Sequence, residues 1–127
     1  MPDSYISFYL KANRVHVFID VLRGLGSPSR ICFMIEENGR TLLIAPYEKR
    51  DFKSHAVPPE AYKGAGGLEV SSMRLCQIIA QLHHWDADRS YRVPGTIYPD
   101  KEAAIFRLAE AEGIERTDQD LGGNVSP

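Results

Sequence analysis

The most regular alternation of apolar and polar positions lies between residues 31 and 44. Ile31, Phe33 and Ile35 alternate, Asn38-Gly39 follows, and Leu42 and Ile44 alternate back. This pattern predicts a hairpin, with Asn38 and Gly39 as the two positive-φ residues of a type I′ turn. Upstream, SYISFYL from Ser4 to Leu10 is rich in aromatic and β-branched side chains and predicts a strand. Lys11-Ala12-Asn13 reads as a turn, because asparagine tolerates positive φ, and Val15 and Val17 form a second short strand. At Ile19 the period changes. Ile19, Leu22 and Leu25 recur every third residue, as on one helical face, and Gly26 with Pro28 ends that helix.

Residues 47–67 carry two prolines and three glycines and read as a surface linker. Beyond it, Leu68 and Val70 form a short strand, and Ser71-Ser72 caps an amphipathic helix built on Leu75, Ile78, Ile79 and Leu82 that ends near Trp85-Asp86. Tyr91, Val93, Ile97, Ile105, Phe106 and Leu108 supply a further strand pair around a turn at Pro99-Asp100. Pro94 and Gly95 assign its first member to a sheet edge or a bulge.

Strand, helix, strand, strand is thus written twice, in half-motifs over residues 10–46 and 68–109. Val17, Leu22 and Leu25 are spaced as Val70, Leu75 and Ile78 are, which anchors the repeat. A unit this small cannot bury its own apolar face, and a second copy can cover it. The expected fold is α+β, a small β-barrel-like sheet from the two motifs, in one globular domain over residues 1–109.

Composition agrees with that size. A chain of 127 residues supports one domain, and 43% hydrophobic with 25% charged residues excludes a disordered chain. No run of eighteen apolar residues occurs, and Asp3, Lys11, Asn13, Arg14 and Asp20 interrupt any signal-peptide core, so a cytoplasmic location without membrane contact is expected. Cys32 and Cys76 stand alone, without metal or redox spacing, and read as small buried hydrophobes. The net charge of −2 hides an asymmetry. Residues 1–109 are +2, whereas residues 110–127 are −4 and form an acidic tail expected to be partly disordered.

The segment from Leu10 to Pro46 resembles the swapped-hairpin DNA-binding domain of the AbrB/SpoVT family. Asn13-Arg14-Val15 occupies the place of the family's Gly-Arg-Val stem, Val17 continues its strand, Ile19 to Leu25-Gly26 matches its Leu-Arg-x-x-Leu-Gly helix, and Ile31 to Ile44 matches its hairpin. Phe18 departs from the family's helix-starting proline, and Ser27-Pro28-Ser29-Arg30 from its Pro-Gly-Asp turn. The resemblance implies a transcriptional regulator that binds double-stranded DNA, with Arg14 and Arg23 at the family-like basic positions and Lys11 and Arg30 nearby. Guanidinium groups of this kind bridge phosphates and fork to guanine in the major groove. In the family two chains interlock into one barrel, so a chain with a second, divergent copy is expected as a monomeric pseudo-dimer or a homodimer.

Other residues point to a protein partner instead. Lys49, Arg50, Phe52 and Lys53 interleave cations with an aromatic, with Tyr47 and His55 close by, as in a partner-binding loop. A near-neutral pI of about 6.1 is low for a DNA binder. The alternative is therefore a non-catalytic protein-binding module, such as a phage or mobile-element inhibitor of a host defence protein, whose tail acids Glu110, Glu112, Glu115, Asp118 and Asp120 mimic nucleic acid. No catalytic residue, metal site or cofactor is expected. His83 and His84 are adjacent, not four apart as a helical metal pair requires, and Gly64 to Gly67 lacks the context of a phosphate loop.

Overall fold

A computed structural model describes residues 4–51, 53–64 and 66–114. Among these residues nine strands form, β1 (Ser4–Tyr9), β2 (Arg14–Val17), β3 (Arg30–Ile35), β4 (Thr41–Pro46), β5 (Ser54–Ala56), β6 (Leu68–Ser71), β7 (Ser90–Tyr98), β8 (Ala103–Arg107) and β9 (Glu112–Ile114), with helices α1 (Ile19–Gly24) and α2 (Met73–His83). All strands join one sheet in the order β5-β3-β4-β8-β7-β1-β2-β6, with β9 beside β7, and every pairing is antiparallel. The result is a nearly closed barrel, open between β5 and β6. Ile6, Phe8, Val15, Val17, Ile31, Leu42, Ile44, Val93 and Phe106 fill its core and are fully buried.

The order strand, helix, strand, strand occurs as β2-α1-β3-β4 and as β6-α2-β7-β8. Exchanging β1 with β5, β2 with β6, β3 with β7 and β4 with β8 preserves every pairing along this path except one. β1 pairs with β2, whereas β5 and β6 share no ladder. Phe33 faces Ile44 across β3 and β4 as Gly95 faces Phe106 across β7 and β8. Because β2 and β6 run in opposite senses, α1 and α2 leave the sheet at opposite ends.

Helix ends follow local chemistry. Gly26, at φ 88°, ends α1 in a Schellman arrangement, with Ser27 N donating to Leu22 O at 2.9 Å and Gly26 N to Arg23 O at 3.0 Å. Ser72 Oγ accepts from Leu75 N at 3.2 Å and starts α2. The second helix stops at His83, a little earlier than the sequence suggests, because His84 turns left-handed at φ 54° and Trp85 N closes back on Ala80 O at 2.9 Å.

Several expectations need correction. Only Gly39 of the Asn38-Gly39 pair has positive φ. The loop is wider than a type I′ turn, with Gly39 N donating to Glu36 O and Glu36 N to Thr41 O. The 47–67 segment is more than a linker, since it contains β5 and a 3₁₀ turn at Pro59–Tyr62, and Val57 enters the core. Three strand residues are too few to register as an alternation.

Pro94 lies inside the sheet rather than at an edge. Opposite β1, β7 pairs with β9 through Ser90 to Arg92 and with β8 from Gly95 onward, so the proline falls at the changeover, where its missing N–H leaves no ladder bond unmade. The repeat anchor also shifts by one residue in the helix. Leu22 and Leu25 lie four and seven positions beyond Phe18, the residue before α1, and the same steps beyond Ser72 lead to buried Cys76 and Ile79, not to Leu75 and Ile78. Finally, the sheet continues past residue 109 into β9, and the rest of the expected acidic tail of residues 110–127, with Glu115, Asp118 and Asp120, lies outside the described residues.

Candidate functional site

The four cations expected to meet DNA separate into two groups. Five antiparallel pairings lead from β2 to β3, so these strands run in opposite senses, and Arg14 and Arg30, each first in its strand, lie at opposite ends of the sheet. Lys11, in the 3₁₀ turn before β2, belongs with Arg14, and Arg23, in the helix beyond β2, belongs at the end of Arg30. Arg14 Nη1 donates to Glu69 Oε1 at 2.9 Å, and this contact holds the Glu69 carboxyl below the usual carboxylate range. Arg23 Nη2 donates to Tyr62 O at 3.0 Å, and Arg30 Nε to Ser54 Oγ at 2.8 Å. Lys11 is exposed.

The aromatic-basic loop is organised by an acid. Asp51 accepts from Tyr47 Oη at 2.8 Å and from Lys53 N at 2.9 Å, and its own carbonyl accepts from Ser54 N at 3.1 Å. The Tyr47 hydrogen bond, then the Lys53 amide, holds the Asp51 carboxyl below its ordinary range, and the same hydrogen bond raises the Tyr47 phenol. Lys49 and Arg50 are exposed, and Phe52 lies outside the described residues.

Lys53 leads to a site that the sequence reading did not assemble. A groove of about 390 Å³ runs between the β3–β4 hairpin with its following loop and the first half of α2. That volume lies within the usual range for ligand pockets. Phe33, Met34, Ala45, Pro46, Leu75 and Ile78 make its apolar surface, and Tyr47, Lys53, His55, Ser72 and Arg74 its polar margin. Among the described residues, no Asp or Glu lines it. Met34 is 52% exposed and Ile78 37%, large values for apolar side chains in a sheet and an amphipathic helix. Leu82, 50% exposed, continues the stripe of Leu75 and Ile78 along α2.

The titrating groups here favour an apolar wall at neutral pH. Burial, then the Arg30 charge, lowers the His55 pKa, so the imidazole is neutral at pH 7 and sets its ring edge against Phe33 at 5.3 Å. Burial raises the Cys32 thiol, which therefore stays protonated and a poor nucleophile. Cys76, pushed up to about 11 by burial, is a core residue.

His83 and Trp85 have structural partners. The His83 ring meets Gly39 O at 2.7 Å, while Trp85 stacks on Tyr91 at 4.5 Å and meets Phe8 edge-on at 5.5 Å. Among the described residues, no three His, Cys, Asp or Glu side chains are grouped to hold a metal ion, and no helix is long and apolar enough to cross a membrane.

The groove escaped the sequence because its walls come from three separated segments, each of which reads alone as strand, loop or helix. One signal was present. Leu75, Cys76, Ile78, Ile79 and Leu82 cover a wider arc of α2 than a single sheet face buries. Comparison with protein-family models, with curated protein sequences and with solved structures finds no match to this chain.

Proposed function

We propose that the chain is a non-catalytic protein-binding module whose groove between the β3–β4 hairpin and α2 receives a partner segment with apolar anchors flanked by acids. The observation that carries this reading is the joint exposure of Met34, Ile78 and Leu82 beside a margin of Lys53, Arg74 and His55, with no lining carboxylate among the described residues. Apolar anchors release water on burial, and acids beside them meet the basic margin and fix orientation. The aromatic-basic loop enters the site through Tyr47 and Lys53, while Lys49 and Arg50 extend its electrostatic reach.

We read the half-motifs, in the same proposal, as a swapped-hairpin arrangement completed within one chain. The sheet order supports this reading, since the β3–β4, β8–β7 and β1–β2 hairpins alternate between the two halves of the chain. The fold carries the AbrB-like expectation better than the charges do. Lys11 and Arg14 lie at one end, Arg23 and Arg30 at the other, and all three arginines already hold intramolecular partners.

The test compares ligands and variants together. Wild type, Ile78→Glu, Arg74→Glu and the double variant Arg14→Ala with Arg23→Ala are titrated against random duplex DNA at low salt, and used to capture proteins identified by mass spectrometry. The expected result is one partner kept by the double arginine variant and lost by Ile78→Glu and Arg74→Glu, its affinity reduced about tenfold or more. Salt-sensitive DNA binding that only the double arginine variant loses would replace this reading with the DNA one.

A further inference from the structure

The face that holds the groove carries opposite charge at its two ends. Arg74 marks one end, in the first turn of α2, where the unpaired N–H groups of the helix add partial positive charge. The tip of the β3–β4 hairpin makes the other end. It lies against the last turn of α2, with the His83 ring on Gly39 O at 2.7 Å and Leu82 so placed that a methyl group on Gly39 would come within 3.7 Å of it. Glu36 and Glu37 are exposed at that tip and outnumber Arg40, which leaves it net acidic. Ile78 lies midway, four residues from Arg74 and four from Leu82, and Met34 of the hairpin shares the same apolar centre. The Arg74 and Glu37 side chains are exposed and, among the described residues, hold no hydrogen bond or ion pair.

We infer that the partner received by this face is a second copy of the chain, turned about a two-fold axis that passes near Ile78. This inference rests on the groove being the partner site. A two-fold pairing needs a surface complementary to itself, and a face that is basic at one end, apolar in the middle and acidic at the other meets that need. Rotation about Ile78 sets the two α2 helices antiparallel. Leu82 of each copy then covers the groove of the other, and Glu37 of each faces Arg74 of the other. Helix dipoles opposed in this way favour the same arrangement. A segment of an unrelated protein could fill the groove and meet Arg74, but it would give Glu37 no counterpart. A few side chains make the centre, so the pairing belongs to the weak class and forms at concentrations on the order of 10–100 µM.

Analytical ultracentrifugation of the full chain, from about 1 µM to about 1 mM, tests this. Wild type should pass from the 14.3 kDa of one chain to twice that mass. Arg74→Glu and Glu37→Arg each set like charges across the axis and should weaken pairing about tenfold or more, and Ile78→Glu should abolish it. An equimolar mixture of Arg74→Glu with Glu37→Arg should pair again, because each copy offers the charge that the other lacks, a recovery that a folding defect would not give. Wild type that stays monomeric throughout, while Ile78→Glu still abolishes capture of another protein, would overturn self-pairing and leave the groove reading standing. A dimer that keeps its affinity in Ile78→Glu, or charge variants that fail to pair when mixed, would overturn self-pairing as well. Failure of Ile78→Glu to change either self-association or capture would overturn both.

Discussion

At Gly95 the absence of a Cβ is what lets the Phe106 ring lie against β7, because a methyl group there would overlap the ring and crowd the Ile105 carbonyl. Gly95→Ala should cost about 1–3 kcal/mol, the usual penalty of overpacking a core, and lower the midpoint of urea unfolding. Gly64→Ala, where added atoms meet open space, is the matched control and should leave the midpoint nearly unchanged. Equal midpoints for the two variants would remove the packing role of Gly95. His55 supplies the residue-scale pH dependence. Its folded-state pKa lies below the ordinary value of about 6.5, so in the window beneath that value the unfolded chain binds more protons than the folded one. The stability it contributes is present above that value and is lost as pH falls through the lowered pKa. Arg30 behind it and Lys53 and Arg74 along the groove all oppose the imidazolium, while Asp51 near Lys53 favours it. A proton NMR titration should place the His55 midpoint below the ordinary value of about 6.5. A midpoint at or above the ordinary value would contradict the burial of the ring.

At the scale of elements, α2 carries two apolar faces with different purposes. Cys76 and Ile79 point into the barrel, while Ile78 and Leu82 meet water. Ile79→Glu should therefore prevent folding or cost several kcal/mol, since it buries a charge without a partner, while Ile78→Glu should shift stability by no more than about 0.5 kcal/mol. Circular dichroism and urea unfolding of the two variants decide this, and comparable losses would mean that Ile78 is core. The same helix marks where sequence legibility ends. Its position, its Ser72 cap and its apolar stripe were readable, because they are written within eleven residues. Which apolar residues turn inward was not, since Ser71 stands between Val70 and the Ser72 cap, whereas Val17 directly precedes Phe18, the residue before α1. β5 was hidden by its length of three residues, and Pro94 misled because its tolerance depends on two other strands changing places beside it.

Across the whole molecule, two similar halves interleave into one sheet and leave it incomplete at a single join. The repeated order strand, helix, strand, strand was legible in the sequence, whereas β5, β9 and the opening were not, because those two strands have three residues each and closure depends on how the chain runs between β5 and β6. The basic residues that the sequence groups by proximity are separated by the barrel, and the groove gathers residues that the sequence keeps apart. If this groove is the partner site, the partner contacts the chain there and not on the other exposed apolar side chains. A photo-reactive amino acid placed in turn at positions 34, 78, 5 and 98, all exposed and apolar in the native chain, measures this directly by mapping adducts formed in cell extract. Adducts are expected from positions 34 and 78 to one acidic, apolar-anchored segment of a single protein, and none to that segment from positions 5 and 98. Labelling of that segment from positions 5 or 98 as strong as from 78, or adducts from 78 scattered over unrelated proteins, would contradict it.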